Sequence, residues 1–412
     1  MRTCVVYIHG LDRRRINDAD TPFLASRVSP QRAVVVEPIP SNELVSTVFT
    51  GAWPHEHGHW QVALDPSHPR PRTLCETLVD FVPDCITTTL QCVRYQFDRS
   101  YEMPTVPPRR RRRFEFHRFK YYGWALGKTG VREVGGMPTL FDVLRDRCRF
   151  QFAKDMTGTR DALAAVPSDT HDVDFVQTYG LDQMQHWGLD RPDIVADAMR
   201  QLDQWLADTA DRCARLGVAM LIFSDHGQEA VHGHLDLMAT LRATGVPERD
   251  YTVYIEAQSA RFWFHTPDAR ERITQALAEV NHARVVTNDD LRQHHIDFPD
   301  TRYGELYLYS DQGWIFFPHD FYHPLVNRVM GWTEREVMAP RLRDPRQRGY
   351  HGHMPGHPAE DGFLAMADDR WQPATTRATL IDIAPTVLAL AGTPGPPSMR
   401  GKAVFAADRA AA

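Results

Sequence analysis

The chain has 412 residues, 42% of them hydrophobic, with 47 lysines and arginines against 53 aspartates and glutamates for a formal net charge of -6. That mixture supports one large core or two domains, and it excludes a disordered, collagenous or disulfide-scaffolded chain. The negative balance argues against a surface built throughout for nucleic acid, so any anion-binding patch must be local.

In chain order, short apolar runs at residues 4–8, 33–36, 86–93, 150–153, 173–179 and 219–223 read as buried strands. Between them, residues 22–28, 42–49, 73–81, 139–147 and 192–216 read as helices. The last is the clearest, with Ile194, Met199, Leu202, Leu206 and Ala210 recurring on one side. This alternation predicts an α/β fold, a mostly parallel central sheet sandwiched by helices. Two stretches interrupt it. Residues 95–137 are rich in proline, arginine and aromatics; residues 231–349 read as a hairpin (251–255 and 261–265), a helix (269–280) and further strands (305–309 and 314–317). The alternation returns with a closing helix over 379–391. We therefore expect a single domain over residues 1–405 carrying two cap insertions, at about 95–137 and 231–349, and a short tail over 406–412.

No run approaches the roughly 18 consecutive apolar residues of a membrane span. The most apolar, 380–392, is broken by Asp382 and Pro385, and no membrane partner is expected. The strand pattern begins at once, without a charged leader and apolar segment, which reads as cytoplasmic. The 6 cysteines form no Cys-x-x-Cys pair, so histidine and carboxylate are the metal ligands on offer.

Ionisable residues cluster where strands end. Residues 5–8 run into His9-Gly10-Leu11-Asp12, and residues 221–224 into Asp225-His226-Gly227. Asp182 and His186 are four apart, so on a helix they share a face and can grip one ion. His351, His353 and His357 crowd a Gly/Pro-rich turn. Each feature has a bland reading as turn chemistry, a solvated pair or a surface loop. Ser41 stands before a predicted helix, where it can be a plain N-cap or a nucleophile favoured by the helix N-terminus. His55 and His57 read as structural, and His232 reads equally as substrate-facing or packed. Arg109 to Arg113, followed by interleaved aromatics, reads as a solvated loop first and an anion- or single-strand-binding segment second.

Taken in order, these features resemble the alkaline phosphatase superfamily, and within it the type I phosphodiesterase/nucleotide pyrophosphatase branch. The resemblance rests on the strand-end Asp12, Ser41 nine residues before Thr50-Gly51, the run Thr50-Gly-x-x-Pro54-x-x-His57-Gly58, Asp182-x-x-x-His186, Ser224-Asp225-His226-Gly227 and His351-Gly352. It implies two divalent metal ions, normally zinc, with manganese or another divalent ion also suited to the ligands. Asp182, His186 and His351 would hold one, Asp12, Asp225 and His226 the other, and Ser41 would attack phosphorus to give a phosphoserine intermediate. The substrate would be a phosphate-ester small molecule, with nucleotides in view and nucleic acid not favoured.

Two departures stand out. The family's first aspartate usually precedes glycine; here Gly10-Leu11-Asp12 is kept and Arg13 stands where the glycine belongs, with Asp12 favoured and His9 a competing ligand, while His353 and His357 stand in reserve for His351. The family's asparagine three positions after the nucleophile is Leu44 here, so the phosphoryl contact falls to Asn42. A phosphomonoesterase or phosphonate hydrolase on the same site is the alternative. A non-catalytic anion or nucleic-acid binder ranks lower because the ligand set is nearly complete. A sulfatase also ranks lower, because Ser41 lacks the proline and arginine of the Cys/Ser-x-Pro-x-Arg signature.

Overall fold

The computed structural model describes residues 2–29, 31–64, 82, 86–87, 114, 133–320, 322, 328 and 344–407. The helix expected at 73–81, most of the strand at 86–93 and the basic run Arg109 to Arg113 lie outside the described residues.

Seven strands form the main sheet: β1 (Thr3–Ile8), β2 (Ala33–Glu37), β3 (Cys148–Ala153), β4 (Val173–Thr178), β5 (Ala219–Ser224), β6 (Gly362–Met366) and β7 (Arg377–Thr379). Their order across the sheet is β7-β2-β6-β5-β1-β4-β3. All neighbours run parallel except β6, which is antiparallel to both β2 and β5. The fold is the expected mostly parallel α/β sheet with helices packed on it.

Every residue of β1, β4 and β5 is buried, which is why they read as continuous apolar runs: a central parallel strand has helices on both faces. Alternate residues go to opposite sides. Val5 and Tyr7 join Phe175 and Phe223 in a core shared with the helices Val45–Thr50 and Ile383–Leu390. Cys4, Val6 and Ile8 join Val176 and Ile222 on the other side, against Met199, Leu202 and Leu206 of the long helix Pro192–Arg215. Each such aliphatic side chain contributes about 1.5–3 kcal/mol by leaving water.

The register puts Ile8 opposite Thr178 and Tyr7 opposite Phe223. The carboxyl ends of β5, β1 and β4 are therefore level, and β6, running backwards, begins at that same edge. Open α/β sheets bind ligands at such an edge.

Between β5 and β6 the chain builds a second, antiparallel sheet in the order Tyr251–Ile255, Ser259–Phe264, Leu306–Ser310, Ala283–Val286. The helices Leu237–Ala243 and Pro267–Ala278 close its own apolar core. These bounds match the expected hairpin, helix and following strand to within about two residues. The second sheet leans on residues 40–62: the Tyr309 hydroxyl donates to the Pro40 carbonyl at 3.0 Å, and Arg261 donates to the Val62 carbonyl.

Candidate functional site

β1 ends at Ile8, and the ladder continues one step further, with the His9 N–H donating to the Thr178 carbonyl at 3.0 Å. His9 thus leaves the sheet edge beside the end of β5. Its Nδ1 lies 2.9 Å from Asp225 Oδ2, its Nε2 lies 2.9 Å from the Gln177 side chain, and its ring stacks on Tyr179 at 3.8 Å. Asp225 also accepts the Tyr7 hydroxyl at 2.6 Å and the His226 backbone N–H at 3.1 Å. Burial alone would raise its pKa, but His226, His9 and Tyr7 more than offset burial and hold it well below the usual carboxylate range.

His226 turns its Nδ1 to the Gly227 carbonyl at 2.8 Å, which leaves Nε2 facing the carboxylates, 3.5 Å from Asp225 Oδ1. Its ring stacks against His351 at 3.6 Å. Asp182 lies in the first turn of the helix Gly180–Gly188, which follows β4. His186, one turn on, donates from Nδ1 to the Gly349 carbonyl at 2.9 Å and brings Nε2 to 3.5 Å from Asp182 Oδ2. His351 Nε2 lies 3.8 Å from Asp182 Oδ1. A short antiparallel pairing of Tyr350 with Glu229 carries His351 to this place.

Two groups of buried donors therefore meet at the strand ends, His9 with Asp225 and His226, and Asp182 with His226 and His351, the donor atoms of each group lying within 4.8 Å of one another. Gly10 makes the approach possible. Its φ is +69°, and a Cβ there would sit 2.7 Å from Asp182 Oδ1.

Asp12 is not in either group. It caps the turn Arg13–Arg15, and its carboxylate is held by Arg14, with Nη2 at 2.6 Å and Nε at 3.0 and 3.1 Å. At the end of β1 it is His9, the competitor named above, and not Asp12 that lies in a donor group. His353 is tied to Glu360 at 3.1 Å and His357 is exposed, so His351 alone of that loop reaches the cluster among the described residues. His57 is buried against Thr47, as a structural residue would be. His232 is exposed, and its backbone N–H donates to the Gly313 carbonyl.

Ser41 is fully buried, and its hydroxyl lies 3.0 Å from the carbonyls of both Glu43 and Trp60 while accepting the Glu43 N–H at 2.9 Å. The helix begins at Val45 with Leu44 before it, so Ser41 closes a turn ahead of the helix and does not cap it. Asn42 follows, donating to Gln258 at 3.0 Å and to the Tyr350 hydroxyl at 3.3 Å.

A family model for type I phosphodiesterase/nucleotide pyrophosphatase matches residues 3–352, a stretch that begins at β1 and ends one residue past His351. The chain belongs to that family. It is a phosphoric ester hydrolase of the phosphodiesterase type in the alkaline phosphatase superfamily, and the family's chemistry is metal-dependent, in keeping with the two donor groups. Among solved structures, murine ectonucleotide pyrophosphatase/phosphodiesterase 5 is similar with a TM-score of 0.57 at 14% identity, over 96% of this chain and 96% of that one. The human counterpart gives 0.56 at 13% over 98% and 97%. An inactive threonine-to-alanine variant of the murine protein, in complex with AMP, gives 0.56 at 14% over 96% and 96%. At such identities the likeness speaks for the fold. No curated protein matches the sequence.

Sequence reasoning passed over several residues that brace this His/Asp cluster. Tyr7 and Gln177 orient Asp225 and His9 from within the strands, and Gln228 donates to Asp182 Oδ1 at 2.8 Å. Glu43 is buried two residues after Ser41, 3.4 Å from His59, and burial raises its pKa well above the usual value. A polar residue inside an apolar strand, as Tyr7 and Gln177 are, was the available signal.

Proposed function

We propose that this chain hydrolyses a nucleotide-type phosphodiester with two divalent ions, zinc before manganese, and Ser41 as nucleophile. The observation that carries the reading is the pair of buried His/Asp groups at the level ends of β5, β1 and β4. The donors suit such ions. His186 and His226 are each committed at Nδ1 to a carbonyl, leaving Nε2 for a metal, and His351 Nδ1 has no hydrogen-bond partner among the described residues. In this reading Asp182, His186 and His351 hold one ion and His9, Asp225 and His226 the other, His9 standing in for Asp12. Bound there, two dications lower the pKa of a nucleophilic hydroxyl and neutralise charge on the leaving oxygen.

The protein's own groups do the rest. Ser41 Oγ, released from the Glu43 and Trp60 carbonyls by rotation about χ1, gives its proton to solvent and bonds to phosphorus as the P–O ester bond breaks and the leaving oxygen takes up a proton; water then cleaves the phosphoserine ester, and a proton returns to Ser41. Asn42 supplies the phosphoryl contact. The second sheet, expected as a cap, selects the substrate, and the AMP complex of a structural relative supports a nucleotide-type ligand. Because the buried Leu44 replaces the family's phosphoryl-binding asparagine, a phosphomonoesterase or phosphonate hydrolase is the second reading.

The test is turnover of bis(p-nitrophenyl) phosphate, p-nitrophenyl phosphate and a phosphonate monoester with zinc or manganese. The diester should be preferred, and EDTA and Ser41→Ala should each abolish its turnover. Full activity in Ser41→Ala would sink the nucleophile assignment, and a preference for the monoester or phosphonate would select the second reading.

A further inference from the structure

Asn42 and Gln258 face one another across the boundary between the main sheet and the second sheet. Gln258 is fully buried in the hairpin turn between Ile255 and Ser259, and its carbonyl is pinned by the Ser310 N–H at 2.9 Å and the Ser310 hydroxyl at 3.2 Å. It accepts from Asn42 Nδ2, as the Tyr350 hydroxyl does. Two atoms of this set, Asn42 Oδ1 and Gln258 Nε2, are buried without a hydrogen-bond partner among the described residues. Asn42 Oδ1 lies against Gly352, the residue after the ligand His351, so closely that a Cβ on Gly352 would stand 2.5 Å from it.

An amide turned this way offers a carbonyl oxygen towards Gly352, beside His351, whereas a contact to a phosphoryl oxygen needs an N–H. Both amides can turn over together. Gln258 Nε2 then donates to Asn42 Oδ1, the Tyr350 hydroxyl donates to the same oxygen, and Asn42 Nδ2 faces the ligand loop. The number of contacts is unchanged, because an amide donates and accepts equally well and its two ends are told apart only by their partners. Tyr350 suits either arrangement, since a phenolic hydroxyl both donates and accepts.

Resting on the function proposed above, we propose that Gln258 is a positioning residue for this reaction: as a partner able both to donate and to accept, it lets the Asn42 amide turn and present its N–H to a non-bridging phosphoryl oxygen.

The proposal inverts the ordinary expectation from side-chain shape. Gln258→Glu keeps the shape and, once ionised, only accepts, so with binding measured at alkaline pH it holds the Asn42 N–H inward and leaves the carbonyl facing the anion. Gln258→Met removes both functions and leaves Asn42 to Tyr350. Binding of inorganic phosphate to the manganese-loaded protein, measured by calorimetry, should weaken about tenfold or more in Gln258→Glu and about threefold or less in Gln258→Met. A merely structural role predicts equal losses or a larger loss for methionine, and either result overturns the proposal. In the Asn42→Ala background the effect of Gln258→Glu should vanish; persistence there would mean that the new charge acts through space, and would also overturn it. Should Gln258→Glu fail to fold, Tyr350→Phe is the second arm, expected to weaken phosphate binding severalfold with metal content unchanged, and unchanged binding would refute the mechanism. Failure of the underlying function looks different, because the unsubstituted metal-loaded protein would then bind no phosphate at all, and the proposal would fall with it.

Discussion

The His/Asp rim and the segment that carries Ser41 lie at the same edge of the sheet but are placed by different forces. His9, Asp182, Asp225 and His226 follow β1, β4 and β5 within a few residues, so the ladder that aligns Ile8 with Thr178 and Tyr7 with Phe223 also aligns them. Residues 40–62 have no such ladder. Their helix, Val45–Thr50, packs on the main core, but the turns on either side of it are held by side chains of the second sheet, with Tyr309 on Pro40, Gln258 on Asn42 and Arg261 on Val62. A strand end is a rigid platform, whereas a loop's position is only as secure as the tertiary contacts that reach it. Metal capture and nucleophile placement should therefore fail separately.

The largest separation is expected at the end of β1. His9→Ala should lower metal content by about one ion per chain and cut diester turnover by about a thousandfold or more, as removal of a unit of the catalytic machinery does. Elemental analysis and turnover check both. Asp12→Ala should leave metal content intact and instead cost about 1–3 kcal/mol of stability in urea, because Arg14 loses its buried partner. Equal metal loss in the two variants would erase the distinction between His9 and Asp12.

On the loop side, Tyr309→Phe removes the hydroxyl that holds the Pro40 carbonyl. It should cost about 1 kcal/mol, and lower kcat with no change in metal content. If metal content fell in step with kcat, rim and loop would be one cooperative unit.

The smallest effect concerns Glu43. Its folded pKa is raised by burial, so the unfolded chain releases this proton more readily than the folded one. The resulting penalty is absent below about pH 4.3, the ordinary glutamate value, and grows as pH rises through the folded pKa. Glu43→Gln keeps an acceptor for the Ser46 N–H and removes the penalty. Thermal melts should match the unsubstituted protein near pH 4 and exceed it by a few degrees near pH 8, a difference set by the size of the shift.

The contrast between rim and loop also divides what could be read from residues alone. Asp182 and His186 were legible because four residues is one helical turn, and Asp225-His226 because a buried strand has one direction in which to present its end. The hairpin and helix of the second sheet were legible from their alternation and periodicity. Choosing between His9 and Asp12 was not a matter of spacing. Both follow β1 within four residues, and only the parallel pairing with β4, together with Arg14 curling back on Asp12, decides that His9 enters the cluster. β6 was missed because Gly362–Met366 is a short apolar run with no period of its own, and it becomes a strand through its two antiparallel neighbours. The sequence by itself thus determined the parallel core, the family and most of the residues that gather at the strand ends, since each rests on local periodicity or on motifs a few residues long. Which strand-end group meets the others and what faces Asn42 were decided by contacts between residues far apart in the chain, such as His9 with Asp225 and Asn42 with Gln258, each pair more than 200 positions apart, while the Ser41 hydroxyl is turned by the Glu43 and Trp60 carbonyls of its own loop; no periodicity within one strand or helix encodes these.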